Sequence, residues 1–505
     1  MAAIMKVPRP PRLPLLKLWS YETKMHFRRL SLSILLTVLV EIFNKIYPLI
    51  IFRFVIDRIG YEAFGTAQFG ISLVEMSVPF ITFGYHDYAS IRVGQSKDRD
   101  HDIRQVFTYT LMLKLVHALC LVLFLLGAFK LDFGIARYQT LVLALSFTIL
   151  GNALDASWMN IGLQKIPLMS IIIVLSKVVS LLGIVFFVEQ ADDGILYAVL
   201  HCCANTLVNL ATFMIFVRRY PLVAPKSFAL IKEAFMRTLP FASIAILNIL
   251  FIRVDWLMVQ SLFADVGTGY YAGPVRINNA VYSFLTAIGM VFFSEALLAK
   301  NKEQVSKHYH SALFVLSFLL VPFLVFCLFF EHGILSLLLG EVRDEQYGLL
   351  FIQAAGNIGA VGITLYGLQI LATKGETKKI ISSLMLGLSM SIFLFFVCKS
   401  IPSLHSLWGI SFAMLCGKLL SAIILANYSR PYLKQIVYGT CLKNVAAGLV
   451  MGLLAYFLSF PIEGYHFLLQ VCFLGICYVC ISFAINQNIL LSLYRKISDK
   501  PEKFS

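Results

Sequence analysis

The sequence predicts an all-α polytopic membrane protein of about fourteen transmembrane helices, arranged as two six-helix lobes plus two C-terminal helices, with both termini cytoplasmic. Three observations lead there. Of 505 residues, 59% are hydrophobic and only 14% charged, where soluble globular proteins carry about 25% charged residues; the mean hydropathy is +0.82. Long apolar runs recur from Leu30 to Leu491, separated by short loops in which basic residues alternate sides. A short glycine-bearing pattern also occurs twice, at matching places in the two halves.

A spanning helix needs roughly 20 mostly apolar residues. Spans are expected near 30–55, 66–89, 107–128, 139–158, 167–188, 194–217, 238–262, 271–296, 309–330, 346–371, 380–398, 404–427, 437–459 and 464–485. They are continuous apolar runs, not the ten-residue alternations of a membrane β-barrel. The organisation read from them is a basic cytoplasmic tail (1–29), an N-lobe of helices 1–6 (30–217), a basic cytoplasmic linker (218–237), a C-lobe of helices 7–12 (238–427), and helices 13–14 with a cytoplasmic tail (428–505). No signal-peptide core precedes the first span, which is expected to serve as the insertion signal.

Orientation comes from Lys and Arg. One set of alternate loops holds Arg28, Arg29, Arg92, Arg99, Lys165, Arg218, Arg219, Lys232, Lys300, Lys302, Lys378, Lys379, Arg430 and Arg495, among others; the other set holds Arg58, Lys130, Arg137, Arg343 and Lys399. The net charge of +15 is thus the positive-inside pattern rather than a nucleic-acid-binding surface. The ten cysteines lie in or beside apolar spans. The pair Cys477 and Cys480 lacks a second ligand pair, so it reads as helix packing. No metal site and no cofactor site is expected.

The repeat reads Tyr61-Glu-Ala-Phe-Gly65-Thr-Ala-Gln-Phe-Gly70 in the first half and Phe263-Ala-Asp265-Val-Gly-Thr-Gly269-Tyr-Tyr-Ala-Gly273 in the second. Aligning Gly65 with Gly269 brings the basic loop at Arg92–Arg99 onto Ala296–Glu303. The offset is six spans, so the halves run parallel, as in transporters whose lobes are related by an axis along the membrane normal.

Ionisable groups at bilayer depth are costly and usually face a bundle interior or a wet cavity. The first span carries Glu41, Lys45 and Arg53, the seventh Arg253 and Asp255, and the eighth Arg276. Lys45, Arg53, Arg253 and Arg276 are the candidate substrate-binding cations, because they lie in repeat-related elements and offer groups that match phosphate oxygens. Glu41 and Asp255 are the candidate coupling acids. The competing reading is snorkelling or local pairing: Glu41 and Lys45 are four apart and can pair, Arg53 lies near a span end, and Lys114 is expected to reach the inner interface. Arg253 and Asp255, two apart, should point in different directions.

The stretch Val254-Asp-Trp-Leu-Met258, followed by Asp265-Val-Gly-Thr-Gly269-Tyr-Tyr-Ala272 and Arg276, resembles the seventh-to-eighth span signature of the polysaccharide (O-antigen type) flippase family of the multidrug/oligosaccharidyl-lipid/polysaccharide exporter superfamily. Phe64-Gly65 resembles that family's opening hairpin. The resemblance implies two six-helix lobes around a cationic cavity in the bacterial inner membrane, with Arg276 at the position of a family cavity cation. It implies undecaprenyl-diphosphate-linked oligosaccharide as substrate, turned from the cytoplasmic to the periplasmic leaflet by alternating access. Partners implied are membrane lipids and the polysaccharide polymerase and chain-length proteins.

Two other classes compete. A drug or metabolite cation antiporter of the same superfamily needs an acidic cavity, whereas the embedded charges here are mostly basic. A glycan polymerase or ligase needs acid–base groups within hydrogen-bond reach, and the outer loops are short, the longest near Glu331–Gln346. No Walker A sequence is present. The expectation is a transporter, not an enzyme.

Overall fold

The computed structural model describes residue 47 and residues 51–96, 99–130, 138–163, 166–297, 301–340, 342–433, 439–458 and 465–486. Glu41, Lys45 and the tail 1–29 lie outside the described residues, which contain helices and no strand. In chain order the helices are α1 (Ile51–Thr82), α2 (Tyr85–Gln95), α3 (Asp100–Lys130), α4 (Gln139–Ala153), α5 (Ser157–Gly162), α6 (Ile166–Phe187), α7 (Gly194–Arg219), α8 (Phe228–Leu297), α9 (Lys302–Leu339), α10 (Leu349–Gly362), α11 (Thr377–Ser400), α12 (Leu407–Ser429), α13 (Gly439–Leu458) and α14 (Tyr465–Ile485). Nine stretches among the described residues are long and apolar enough to cross a membrane, and three shorter apolar helices accompany them. The chain is an all-helical, multi-pass membrane protein.

Two of these helices are hairpins rather than rods. As a straight rod, α8 would be roughly 105 Å long, more than three times the ~30 Å hydrocarbon core. Its path breaks at Ala264, with φ 54° and ψ −153°. Tyr271 donates to the Asp255 carboxylate at 2.7 Å, and the Trp256 and Tyr271 rings lie 5.5 Å apart, contacts that only a fold-back allows. α1 breaks at Gly60, φ 76°, and brings the Phe52 and Phe64 rings within 5.0 Å. The loops expected at 56–65 and 263–270 are therefore helical almost to the turning residue. Glycine meets the positive φ at Gly60 without penalty. At Ala264 the strained backbone is held by the Thr268 hydroxyl, 2.8 Å from the Ala264 carbonyl oxygen.

The alignment of Gly65 with Gly269 also equates Gly60 with Ala264 and Tyr61 with Asp265. The hairpins touch reciprocally: a Cβ at Gly65 would lie 1.8 Å from the Asp265 carbonyl oxygen, and one at Gly269 would lie 2.1 Å from that of Tyr61. Each is the same contact seen from the other repeat, so a local two-fold relates the hairpin tips. Around them, Tyr138 and Gln260 both donate to the Asp265 carboxylate, at 2.7 and 2.8 Å. On the second arm of α8, Pro274 cannot donate to the Tyr270 carbonyl one turn back; the Gln346 side-chain amide does so instead, at 3.0 Å.

Helices α13 and α14 pack on α9 through a small core that includes Ala447, Met451, Leu474 and Tyr478. Asn444 ties the three together, donating to the Ser317 hydroxyl at 2.8 Å and accepting from Ser482 at 2.9 Å. All ten cysteines are free, with Cys480 exposed on α14.

Candidate substrate cavity

The two arms of α8 and helices α1, α4, α6 and α7 enclose a cavity of about 670 Å³, within the ~300–1,000 Å³ typical of ligand sites. Its ionisable lining comprises Lys177, Arg253 and Arg276 with Glu75, Asp155 and His201. Arg276 projects from the second arm of α8 and donates to Gln68 Oε1 at 2.7 Å and to the Tyr197 hydroxyl at 3.1 Å. Its guanidinium lies 5.0 and 5.2 Å from the Phe64 and Phe52 ring centres. Aromatic faces and neutral acceptors fix such a cation in place while its charge stays available to an anion. Arg253, on the first arm, forms an ion pair with Glu75 of α1. Lys177 of α6 stands 5.4 Å from the Tyr47 ring.

The structure thus brings Arg253 and Arg276 to one cavity and places Arg53 and Asp255 elsewhere; Lys45 and Glu41 lie outside the described residues. Arg53 is exposed, 3.8 Å from Asp57, beside Gly340, and does not line the cavity. Asp255 turns away from Arg253, as i,i+2 neighbours on a helix must. It lines a separate pocket of about 50 Å³ with Lys418, Tyr271, Asn278, Asn357 and Ser411, and accepts from Tyr271. Lys114 departs from expectation: instead of snorkelling it is 1% exposed. Its ammonium donates to the Asp155 carbonyl oxygen at 2.7 Å and sits 3.3 Å from His86 Nε2, and His86 pairs with the Asp155 carboxylate at 3.0 Å. The helix presents Lys114 to α2 and the end of α4, so a partner lies nearer than the interface.

Glu75, Lys177 and His201, and the amides Asn152, Asn205 and Asn209, line the cavity without having been singled out as its walls. One signal was present: His201, Asn205 and Asn209 recur every four residues, which places them on one face of an otherwise apolar α7.

A polytopic helical bundle with a charged cavity between paired hairpins is the architecture of a membrane transporter. The solved structure "Lipid II flippase MurJ, inward closed conformation" superposes with a TM-score of 0.71 at 15% identity, covering 90% of this chain and all of that one. An inward-facing multidrug resistance MATE family transporter of the MOP superfamily gives 0.56 at 14% identity, covering 76% of this chain and 94% of that one. The fold is therefore MurJ- and MATE-like. A model described as "Polysaccharide biosynthesis protein" matches residues 32–293, more than half of the chain, and the chain belongs to that family. The "Putative O-antigen transporter" of Escherichia coli (strain K12) is 20% identical over 195 residues, 38% of this chain. That match spans about half the relative's length, 47%.

Proposed function

We propose that this protein is a flippase that moves undecaprenyl-diphosphate-linked oligosaccharide repeat units from the cytoplasmic to the periplasmic leaflet of the bacterial inner membrane. The observation that carries the reading is the convergence of Arg253, Arg276 and Lys177 on one cavity of about 670 Å³ in a member of a polysaccharide biosynthesis family. Guanidinium forks match phosphate oxygens, and an ammonium adds a compact charge. Lys45 joins this group in the proposed site, while Arg53, paired with Asp57 elsewhere, is left out.

In this reading two six-helix lobes (30–217 and 238–427), joined by the basic linker 218–237, rock about the cavity, with helices 13 and 14 appended and both termini cytoplasmic. The lipid tail stays in the bilayer while the diphosphate meets the cations. Closure of one end and opening of the other presents the glycan outside, ready for polymerase and chain-length proteins. Glu41 and Asp255 are the proposed coupling acids. A charge crossing the membrane field gains about 2.3 kcal/mol per 100 mV, so one titrating carboxylate suffices to bias the cycle.

The test is depletion of the protein followed by analysis of lipid-linked glycan. Complete units held on the cytoplasmic leaflet are expected. Single units at the cell surface without chains would point to a polymerase, and an unchanged lipid-linked pool would leave the cation antiporter as the better reading.

A further inference from the structure

The cavity is graded along its length. The hairpin tips set a common level: Tyr138 of the α4 end bonds Asp265, Arg58 donates to Val188 at the end of α6, and Gly194 of α7 packs on the Ala63 carbonyl. Counting at 1.5 Å per helical residue from that level, Lys177, Arg253 and Arg276 lie about 16–18 Å down. By the same count Asn205 lies about 16–17 Å down, level with the cations, and Asn152 and Asn209 lie about 21–23 Å down, with Asp155 and Ser157 beyond them. The cations therefore occupy one level, with Asn205 beside them, and the other amide, carboxylate and hydroxyl groups named here occupy the next, displaced by about the width of a sugar ring, so that Asn205 bridges the two.

The amides keep spare hydrogen-bonding capacity. Asn209 donates to Asn152 Oδ1 at 3.0 Å, while Asn152, itself 7% exposed, has an Nδ2 group with no hydrogen-bond partner. A buried donor without a partner costs about 1–3 kcal/mol and calls for a ligand or water. A similar pair near the other pocket, Asn357 donating to Asn278 Oδ1 at 2.7 Å, faces only about 50 Å³. Asn205, one turn from Asn209, is exposed and lines the large cavity.

We propose that Asn152, Asn205 and Asn209 form a sugar subsite that binds the hydroxyl groups of the sugar residue bonded to the diphosphate. This rests on the flippase reading above and adds to it where the first sugar is read. Primary amides suit the task, because each offers two donors and an acceptor in one plane, matching vicinal hydroxyls that both donate and accept. The neighbouring cations then hold the diphosphate, and discrimination among glycans falls to the amides, since a site built to hydrogen-bond a hydroxyl rejects ligands that lack it.

The experiment measures binding of two probes to the purified full-length protein in nanodiscs: undecaprenyl diphosphate alone, and the lipid-linked glycan extracted from cells depleted of this protein. Wild type is expected to hold the extracted glycolipid at least tenfold more tightly than the bare lipid. Asn152→Ala removes the spare donor, and Asn205→Leu fills the subsite from an exposed position that leaves the buried Asn152–Asn209 bond intact. Each should cut the tenfold preference at least fivefold while bare-lipid binding persists. Arg276→Ala should weaken both probes together. Retention of the preference in both asparagine variants overturns the sugar subsite, as does equal weakening of the two probes. Equal wild-type affinity for both probes overturns it while leaving the flippase reading standing; no wild-type affinity for either overturns the flippase reading itself.

Discussion

Arg276 is restrained by Gln68, Tyr197 and two phenylalanine rings, so its guanidinium is preorganised before any anion arrives. Hydrogen bonds to charged groups contribute about 1.5–3 kcal/mol, which corresponds to roughly 10–100-fold in affinity. Arg276→Ala should therefore leave the protein inserted yet lower transport by that factor, read as surface glycan against the accumulated lipid-linked pool. Arg276→Lys should fall between, since it keeps the charge and loses the fork. Full transport by Arg276→Ala would remove the cation from the site. A second residue-level prediction concerns Glu376, in the turn that immediately precedes α11. The Tyr432 hydroxyl first, and then the Lys379 ammonium 3.0 Å away, hold its carboxyl below the usual glutamate value. A depressed carboxylate contributes stability that is present above the ordinary glutamate pKa and lost as pH falls through the lowered value. Hydrogen-exchange protection at 372–379, taken relative to the intrinsic exchange rate at each pH, should fall on acidification across that window, and Glu376→Gln should abolish the change. Protection that does not vary with pH in the wild type would show that the contact does not hold the turn.

At the scale of elements, the paired hairpins are the feature on which the rest depends. Gly65 and Gly269 let backbone approach backbone where any Cβ would collide. Overpacking of this kind costs about 1–3 kcal/mol, and here the obstacle is a carbonyl rather than a side-chain end that can move aside. Gly65→Ala and Gly269→Ala should each lower the melting temperature and make a Tyr61→Cys probe more reactive toward a water-soluble maleimide. Unchanged reactivity in both would mean that the tips are not clamped. Gln346 plays a quieter part: it supplies the hydrogen bond that Pro274 denies to Tyr270, so the proline leaves no bare carbonyl in the arm.

For the whole molecule, the prediction is orientation. If the basic loops face the cytoplasm, single cysteines replacing Lys232 and Lys378 should resist an impermeant thiol reagent in intact cells and react once the membrane is opened. A cysteine replacing Glu345 should react from outside, in a background with the native cysteines removed. The opposite pattern would invert the proposed direction of transport.

How much of this was legible in the sequence depends on the range of the physics involved. Span lengths, loop charge and the glycine repeat are local properties, and hydrocarbon solvation punishes a wrong placement by so much that the sequence alone determines a multi-pass helical chain. Helical periodicity likewise determined that Arg253 and Asp255 face different ways. What the tertiary structure decided is which faces meet. Arg53 and Arg276 are both cations in repeat-related spans, yet Arg53 is left with Asp57 on an exposed surface while Arg276 enters the cavity. Lys114 resembled a snorkelling residue until helix packing set His86 and Asp155 against it. The amide face of α7 becomes a wall only because α4 and α8 stand opposite. Burial and partner choice are set by contacts between segments distant in sequence, and a buried charge is stabilised or excluded by those contacts rather than by its own helix.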